Sequence, residues 1–141
     1  MILLDTNVIS ELLRKRPEPA VAEWLDKQPP EELWTTSVVL AELLSGIALM
    51  PAGKKQKALG EEVESMISKD FQDQVLDFDM AAAREYGKIL ASRNKIGRPI
   101  REFDAQIAAI ARVHHAAVAT RDLNGFIGCG LIVIDPWTSK S

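Results

Sequence analysis

Four carboxylates, Asp5, Glu42, Asp104 and Asp122, stand where an acid is out of keeping with its neighbours, and together they would make an all-oxygen site for a cation. Asp5 ends the apolar run Ile2-Leu3-Leu4, and Asp122 closes Val118-Ala119-Thr120-Arg121-Asp122. The carboxyl ends of buried strands are where open α/β sheets bind ligands. Glu42 lies in the stretch Val38 to Met50, whose other polar side chain is Ser45. A helix that apolar is expected to be buried on most sides. No Lys or Arg stands three or four positions from Glu42 to neutralise it, and a buried, unpaired carboxylate is costly or takes up a proton. Asp104 falls in the first turn of a helix, next to Phe103, a core position on this pattern.

Each acid also has an ordinary reading. Asp5 suits an N-cap, Asp104 a helix N-terminus with Arg101 three residues back, Asp122 a turn, and Glu42 a distant salt bridge. The case for chemistry rests on recurrence, two acids at strand ends and two on helices that could border the same sheet edge. Like charges at about 4 Å repel by roughly 4 kcal/mol per pair at an effective dielectric near 20, so such a cluster needs a cation or binds protons. Oxygen ligands without sulfur or imidazole suit Mg²⁺ or Mn²⁺. Cys129 is the one cysteine, and His114 and His115 are adjacent, so neither a disulfide framework nor a Cys/His zinc cage is available.

The elements that must position these acids can be read in order. Ile2–Leu4 predicts a short strand buried on both faces, followed by a helix from Val8 that stops before Arg14-Lys15-Arg16-Pro17. Pro19 opens a second helix, 33–36 reads as a strand, and Ser37 is the expected N-cap of a helix running to about Met50. Residues 54–71 form an amphipathic pattern with Leu59, Val63, Met66, Ile67 and Phe71 inward, and 74–78 a third strand. A helix from about Asp79 carries Met80, Ala83, Gly87 and Leu90 in register. After the basic loop 94–99 comes a helix from about Arg101 to His114 with the stripe Phe103, Ile107, Ile110, His114. Strands at 117–120 and 131–134 flank a turn with Gly125, Gly128 and Gly130. Strands separated by helices imply parallel pairing. The expected fold is a three-layer α/β/α domain with a central, mostly parallel sheet, in a single domain over residues 1–141.

The chain is 47% apolar and 26% charged, an ordinary globular composition. At 141 residues it can bury roughly 70% of its unfolded surface. A net charge of −3 argues against coating nucleic acid by bulk charge, but not against an enzyme that supplies positive charge locally or through metal ions. No apolar run reaches the ~18 residues of a membrane span, and no basic segment precedes the N-terminal apolar run. The expected setting is a reducing cytoplasm, with no membrane partner.

Four segments then resemble, in order and at matching spacing, the PIN-domain ribonucleases, and among them the VapC toxins of type II toxin–antitoxin modules in their FitB-like branch. They are Leu4-Asp5-Thr6-Asn7-Val8-Ile9-Ser10-Glu11, Thr36-Ser37-Val38-Val39-Leu40-Ala41-Glu42-Leu43, Phe103-Asp104-Ala105-Gln106-Ile107-Ala108-Ala109-Ile110-Ala111 and Ala119-Thr120-Arg121-Asp122, closed by Asp135-Pro136-Trp137. The resemblance implies a PIN-like fold and a metal-dependent endoribonuclease whose metal-binding, catalytic acids are Asp5, Glu42, Asp104 and Asp122. Thr6, Asn7 and Thr120 carry over as supporting residues. One departure is visible. Many relatives read Thr-Arg-Asn followed by Asp-Phe, where this chain has Thr120-Arg121-Asp122 and then Gly125-Phe126.

The resemblance further implies Mg²⁺ or Mn²⁺, an RNA substrate, a cognate antitoxin laid across the acidic groove, a homodimer, and DNA reached only through the antitoxin. Candidate RNA contacts are Arg14, Lys95, Arg98 and Arg101. Trp24, Trp34 and Trp137 sit in apolar surroundings that suit core or interface, so no stacking platform is expected. Two other readings stay open. One is a PIN-like module that binds a partner or RNA without cleaving it. The other is a phosphohydrolase with Asp5 as nucleophile, although Asn7 stands where such families usually place a second Asp.

Overall fold

The computed structural model describes residues 1–138. Five strands, β1 (Ile2–Leu4), β2 (Leu33–Thr36), β3 (Val75–Leu76), β4 (Ala117–Ala119) and β5 (Val133–Ile134), form one sheet in the order β3-β2-β1-β4-β5. Every pairing in it is parallel. Central strands in such a sheet are covered on both faces, and Leu3, Leu4, Val118 and Ala119 are fully buried. The helices are α1 (Thr6–Leu12), α2 (Pro19–Asp26), α3 (Ser37–Ala48), α4 (Lys54–Ser65), α5 (Met80–Lys95) and α6 (Glu102–Val113). Right-handed crossovers place the helices between β1 and β3 on one face and α5 and α6 on the other, giving the three expected layers.

The chain leaves β1 toward β2 and β3, then returns to β4 on the opposite side of β1. That reversal is the switch point at which parallel sheets bind ligands. It lies between Asp5, at the end of β1, and Thr120, at the end of β4. The two strand ends are joined by the bond from the Asp5 amide to the Ala119 carbonyl, 3.0 Å.

Several local expectations needed correction. Thr36, not Ser37, caps α3, its hydroxyl accepting the Val39 amide at 3.1 Å. A strand residue with extended dihedrals supplies that geometry, whereas Ser37 is already helical. Helix α3 is also not buried on most sides. Only Val38 and Val39 are, while Leu44 and Leu49 are exposed, Leu49 by 86%. The amphipathic segment 54–71 breaks into α4 and a π-helical turn, Met66–Asp70, and the third strand shrinks to two residues.

The inward face of α5 is Ala82, Ile89 and Arg93, leaving Met80, Ala83 and Gly87 outside. Phe103 is exposed rather than core, because α6 buries Asp104, Ala105, Ile107 and Ala108 instead. His114 is the exposed C-cap of α6, where the chain turns into β4. Trp24 is buried, as expected, and Trp34 is partly covered with its indole N–H bonded to the Glu31 carbonyl. No helix among the described residues is long and apolar enough to cross a membrane.

Candidate metal centre

Asp5 holds two positions at once. Its backbone is extended and its Oδ1 accepts the Thr6 amide at 2.8 Å, so it caps α1. Its Oδ2 accepts the Thr120 hydroxyl at 2.8 Å. The capping reading holds, and the same carboxylate, 5% exposed, also joins β1 to the end of β4.

Thr120 is the hub of this corner. A hydroxyl has one proton to give and two lone pairs to accept with, and Thr120 uses all three. It donates to Asp5 and accepts the Asn7 side-chain amide at 3.0 Å and the Asp122 backbone amide at 3.0 Å. Asn7 in turn accepts the Arg121 amide at 3.1 Å. Thr120 and Asn7, both expected as supporting residues, thus tie α1 to the turn after β4.

Glu42 reaches the same place from α3. Its Oε1 accepts the Thr6 hydroxyl at 2.9 Å. It also has a counter-charge that spacing along its own helix did not reveal, Arg101, whose Nη2 lies 3.8 Å from Oε2. Arg101 precedes α6 and bonds both Asp104 oxygens, at 3.1 and 3.3 Å. Its guanidinium is held above its usual pKa, first by the Asp104 hydrogen bond and charge, then by Glu42 and Asp5. Of the expected RNA contacts, Arg101 alone enters the cleft. Lys95 is exposed at the C-terminal end of α5 and Arg98 on the loop that follows, and Arg14 is paired with Glu11 at 3.1 Å.

Asp122 approaches from the turn after β4. Its Oδ1 accepts the Gly125 amide at 3.1 Å, capping the 3-10 turn Leu123–Gly125. The bare Gly125 leaves room for the two carboxylates beside it. A Cβ there would stand 2.7 Å from Asp122 Oδ2 and 3.3 Å from Asp104 Oδ2. Asp5, Thr6, Asn7, Glu42, Arg101, Asp104 and Asp122 line one open cleft of about 290 Å³. All four predicted acids thus converge, although among the described residues no three carboxylates close tightly enough to grip one ion by themselves. Arg101 provides the positive charge between Asp104 and Glu42.

Burial, opposed by the Thr120 and Thr6 hydrogen bonds and reinforced by the charges of Asp104 and Glu42, raises Asp5 to about 6. A carboxylate kept that far above its ordinary value is one that a cation would relieve.

One further residue escaped the sequence reading. Arg93, on the inner face of α5, is 4% exposed. Its guanidinium donates to the carbonyls of Arg98 (2.6 Å), Gly125 (2.9 Å) and Ile127 (3.1 Å). It pins the loop leading to Arg101 against the loop that carries Gly125. The available signal was its spacing from Ala82 and Ile89, at a helical repeat. Cys129, buried beside it, has its thiol pushed up, mainly by burial.

Residues 2–127 match the family model described as PIN domain. The chain belongs to the PIN-domain family. Within it, the chain is 42% identical to the VapC ribonuclease Y4jK of Sinorhizobium fredii over 97% of its own length and 98% of that protein's. It is 41% identical to Toxin FitB of Neisseria gonorrhoeae, over 97% and 99%. The solved structure of FitAB bound to an IR36 DNA fragment superposes with a TM-score of 0.92 at 39% identity, covering 100% of this chain and 99% of that one. The acid-lined cleft at the β1–β4 switch point of this PIN fold therefore sits on a frame shared by proteins described as a ribonuclease and a toxin.

Proposed function

We propose that the chain is one PIN domain acting as a metal-dependent endoribonuclease, the toxin of a type II toxin–antitoxin module in the cytoplasm. The observation that carries the reading is the convergence of four acids, from β1, α3, α6 and the turn after β4, on one cleft whose central carboxylate is raised to about 6. Asp5, Glu42, Asp104 and Asp122 would hold Mg²⁺ or Mn²⁺. The donor set fits in its chemistry, being all oxygen with hydroxyls and an amide beside it, and the four acids would have to draw together in place of Arg101 to close on an ion. A bound divalent ion supplies positive charge that acidifies water and offsets charge building at a phosphodiester.

The chain's own residues do the positioning. Thr120 and the Thr6 amide orient the two Asp5 oxygens. Thr6 orients Glu42. Asn7 fixes the backbone at Arg121 and with it the approach of Asp122. Arg101 balances Asp104 and Glu42 and, being two-thirds exposed, can move aside toward a substrate phosphate. Asp5 as a covalent nucleophile gains no support from this geometry, since Asn7, bonded to Thr120 and the Arg121 amide, stands where such families usually place a second Asp.

A groove of about 400 Å³ adjoins the cleft, with Leu13, Leu43, Ile47, Met50 and Leu59 along it and Glu42 and Arg14 at its edge. Its apolar walls suit the cognate antitoxin's segment lying across the acidic cleft, and the exposed Leu44 and Leu49 give further surface for that protein or for a homodimer partner. DNA would be reached through the antitoxin. The test is purified chain with RNA and Mg²⁺ or Mn²⁺, beside Asp5→Ala and Glu42→Ala. Loss of cleavage of at least ~100-fold in both is expected, and variants that cleave like the parent would refute the assignment.

A further inference from the structure

At the rim of the cleft, Arg121 lies with its guanidinium over the Trp137 ring, 4.9 Å from the ring centre. Three observations make this contact informative. First, Arg121 stands between Thr120 and Asp122, and its amide is bonded to Asn7, so its backbone belongs to the same hydrogen-bonded corner as Asp5. Second, Trp137 follows β5, the strand beside β4, so the pair extends the cleft outward along the sheet's carboxyl edge.

Third, the charge of Arg121 is uncommitted. Other arginines are occupied: Arg101 by Asp104 and Glu42, Arg93 by three carbonyls, Arg112 by Glu85. Among the described residues no carboxylate pairs with Arg121. An aromatic face restrains a guanidinium without cancelling its charge. The side chain therefore loses rotamer freedom before binding and still presents a full positive charge.

Resting on the ribonuclease reading above, we propose that Arg121, held over Trp137, is a phosphate-binding residue for the RNA strand where it leaves the acidic cleft on the β5 side. A polyanion threading past four carboxylates needs a cation close to the site but not consumed by it. Arg121 meets that requirement, and Trp137 makes its position reproducible. A protein partner would have less use for an exposed, unpaired arginine beside an acid cluster than a phosphate would.

The experiment measures a fluorescein-labelled single-stranded RNA by anisotropy across a salt series, with steady-state cleavage in Mn²⁺ alongside. Arg121→Ala should raise Kd and KM about 5- to 20-fold, leave kcat within about 3-fold, and reduce the log Kd against log salt slope by about 0.7, one phosphate contact on a single strand. Trp137→Leu keeps the charge, so Kd should rise about 2- to 3-fold with the slope unchanged. Arg121→Lys should restore the slope but not the full affinity.

Unchanged Kd and slope in Arg121→Ala, or a loss confined to kcat, overturns the proposal. So does a variant that weakens antitoxin binding while binding RNA like the parent. The binding arm needs no cleavage, so a parent that binds RNA but does not cut it refutes the ribonuclease reading and still tests Arg121. Melting curves and Arg121→Gln guard against a folding defect.

Discussion

Thr120→Val removes one oxygen from the centre of the site at nearly constant volume, and its consequences can be worked from the bonds it breaks. The hydroxyl is fully buried and makes three hydrogen bonds. The bond to the charged Asp5 carboxylate is worth about 1.5–3 kcal/mol. Asn7 and the Asp122 amide are nearer the surface and can turn in part to water, so their loss adds about 0.5–1 kcal/mol together. The metal-free variant should be about 3 kcal/mol less stable at pH 8, a fall in Tm on the order of 10 °C.

The pH dependence gives the prediction its sign. Asp5 is raised from 3.8 to about 6, so the folded protein binds a proton more readily than the unfolded chain. Stability from this group is therefore greatest below about 4 and is lost as pH rises to about 6. The full penalty, on the order of 3 kcal/mol, is present above that. The Thr120 hydrogen bond is one of the two contacts that lower Asp5, so Thr120→Val should move its titration above 6. The difference between variant and parent should accordingly be about 1 kcal/mol at pH 5 and grow toward pH 8.

Chemical denaturation of the metal-free proteins at pH 5, 6.5 and 8 measures this directly. Thr120→Ser should behave like the parent within about 1 kcal/mol, since the oxygen remains. A Thr120→Val difference below about 0.5 kcal/mol at pH 8, or one that does not grow with pH, would refute the hub assignment.

Three other perturbations probe different parts of the frame. Gly125→Ala drives a methyl toward Asp122 and Asp104, so metal-dependent cleavage should fall about 10-fold while Tm changes little, read by kinetics beside a melt. Arg93→Met leaves the carbonyls of Arg98, Gly125 and Ile127 without their buried donor. It should cost about 3–5 kcal/mol and speed amide exchange in residues 125–129. Arg101→Ala removes the cation that competes for Asp104 and Glu42. The metal-free protein should melt lower and the rise in Tm on adding Mn²⁺ should become larger, as differential scanning fluorimetry would show.

Much of this molecule is determined locally. An apolar run ended by Asp, with a helical pattern after it, sets β1, α1 and the place of Asp5, because a buried strand and a capped helix both demand those residues there. Residue order recovered the alternation of strands and helices, and the four acids stood out against apolar neighbours, whereas their joint role and the choice of Thr6, Asn7 and Thr120 beside them came from the resemblance to PIN-domain ribonucleases. What tertiary structure decided is which charges meet and which apolar faces stay uncovered. Arg101 neutralises Glu42 from a segment about sixty residues away, and pattern along one helix carries no record of such a contact.

Helix α3 is apolar by composition yet exposed along much of its length. Hydropathy marks a surface to be covered, not what covers it. Phe103 was expected in the core and lies outside it for a similar reason, since the pitch of a helix says which residues share a face and packing alone says which face turns inward. Asp5 began as a carboxylate at a strand end. The return of β4 to the other side of β1 is what surrounded it with Thr120, Asp104 and Asp122, because parallel crossovers bring together strand ends that lie more than a hundred residues apart.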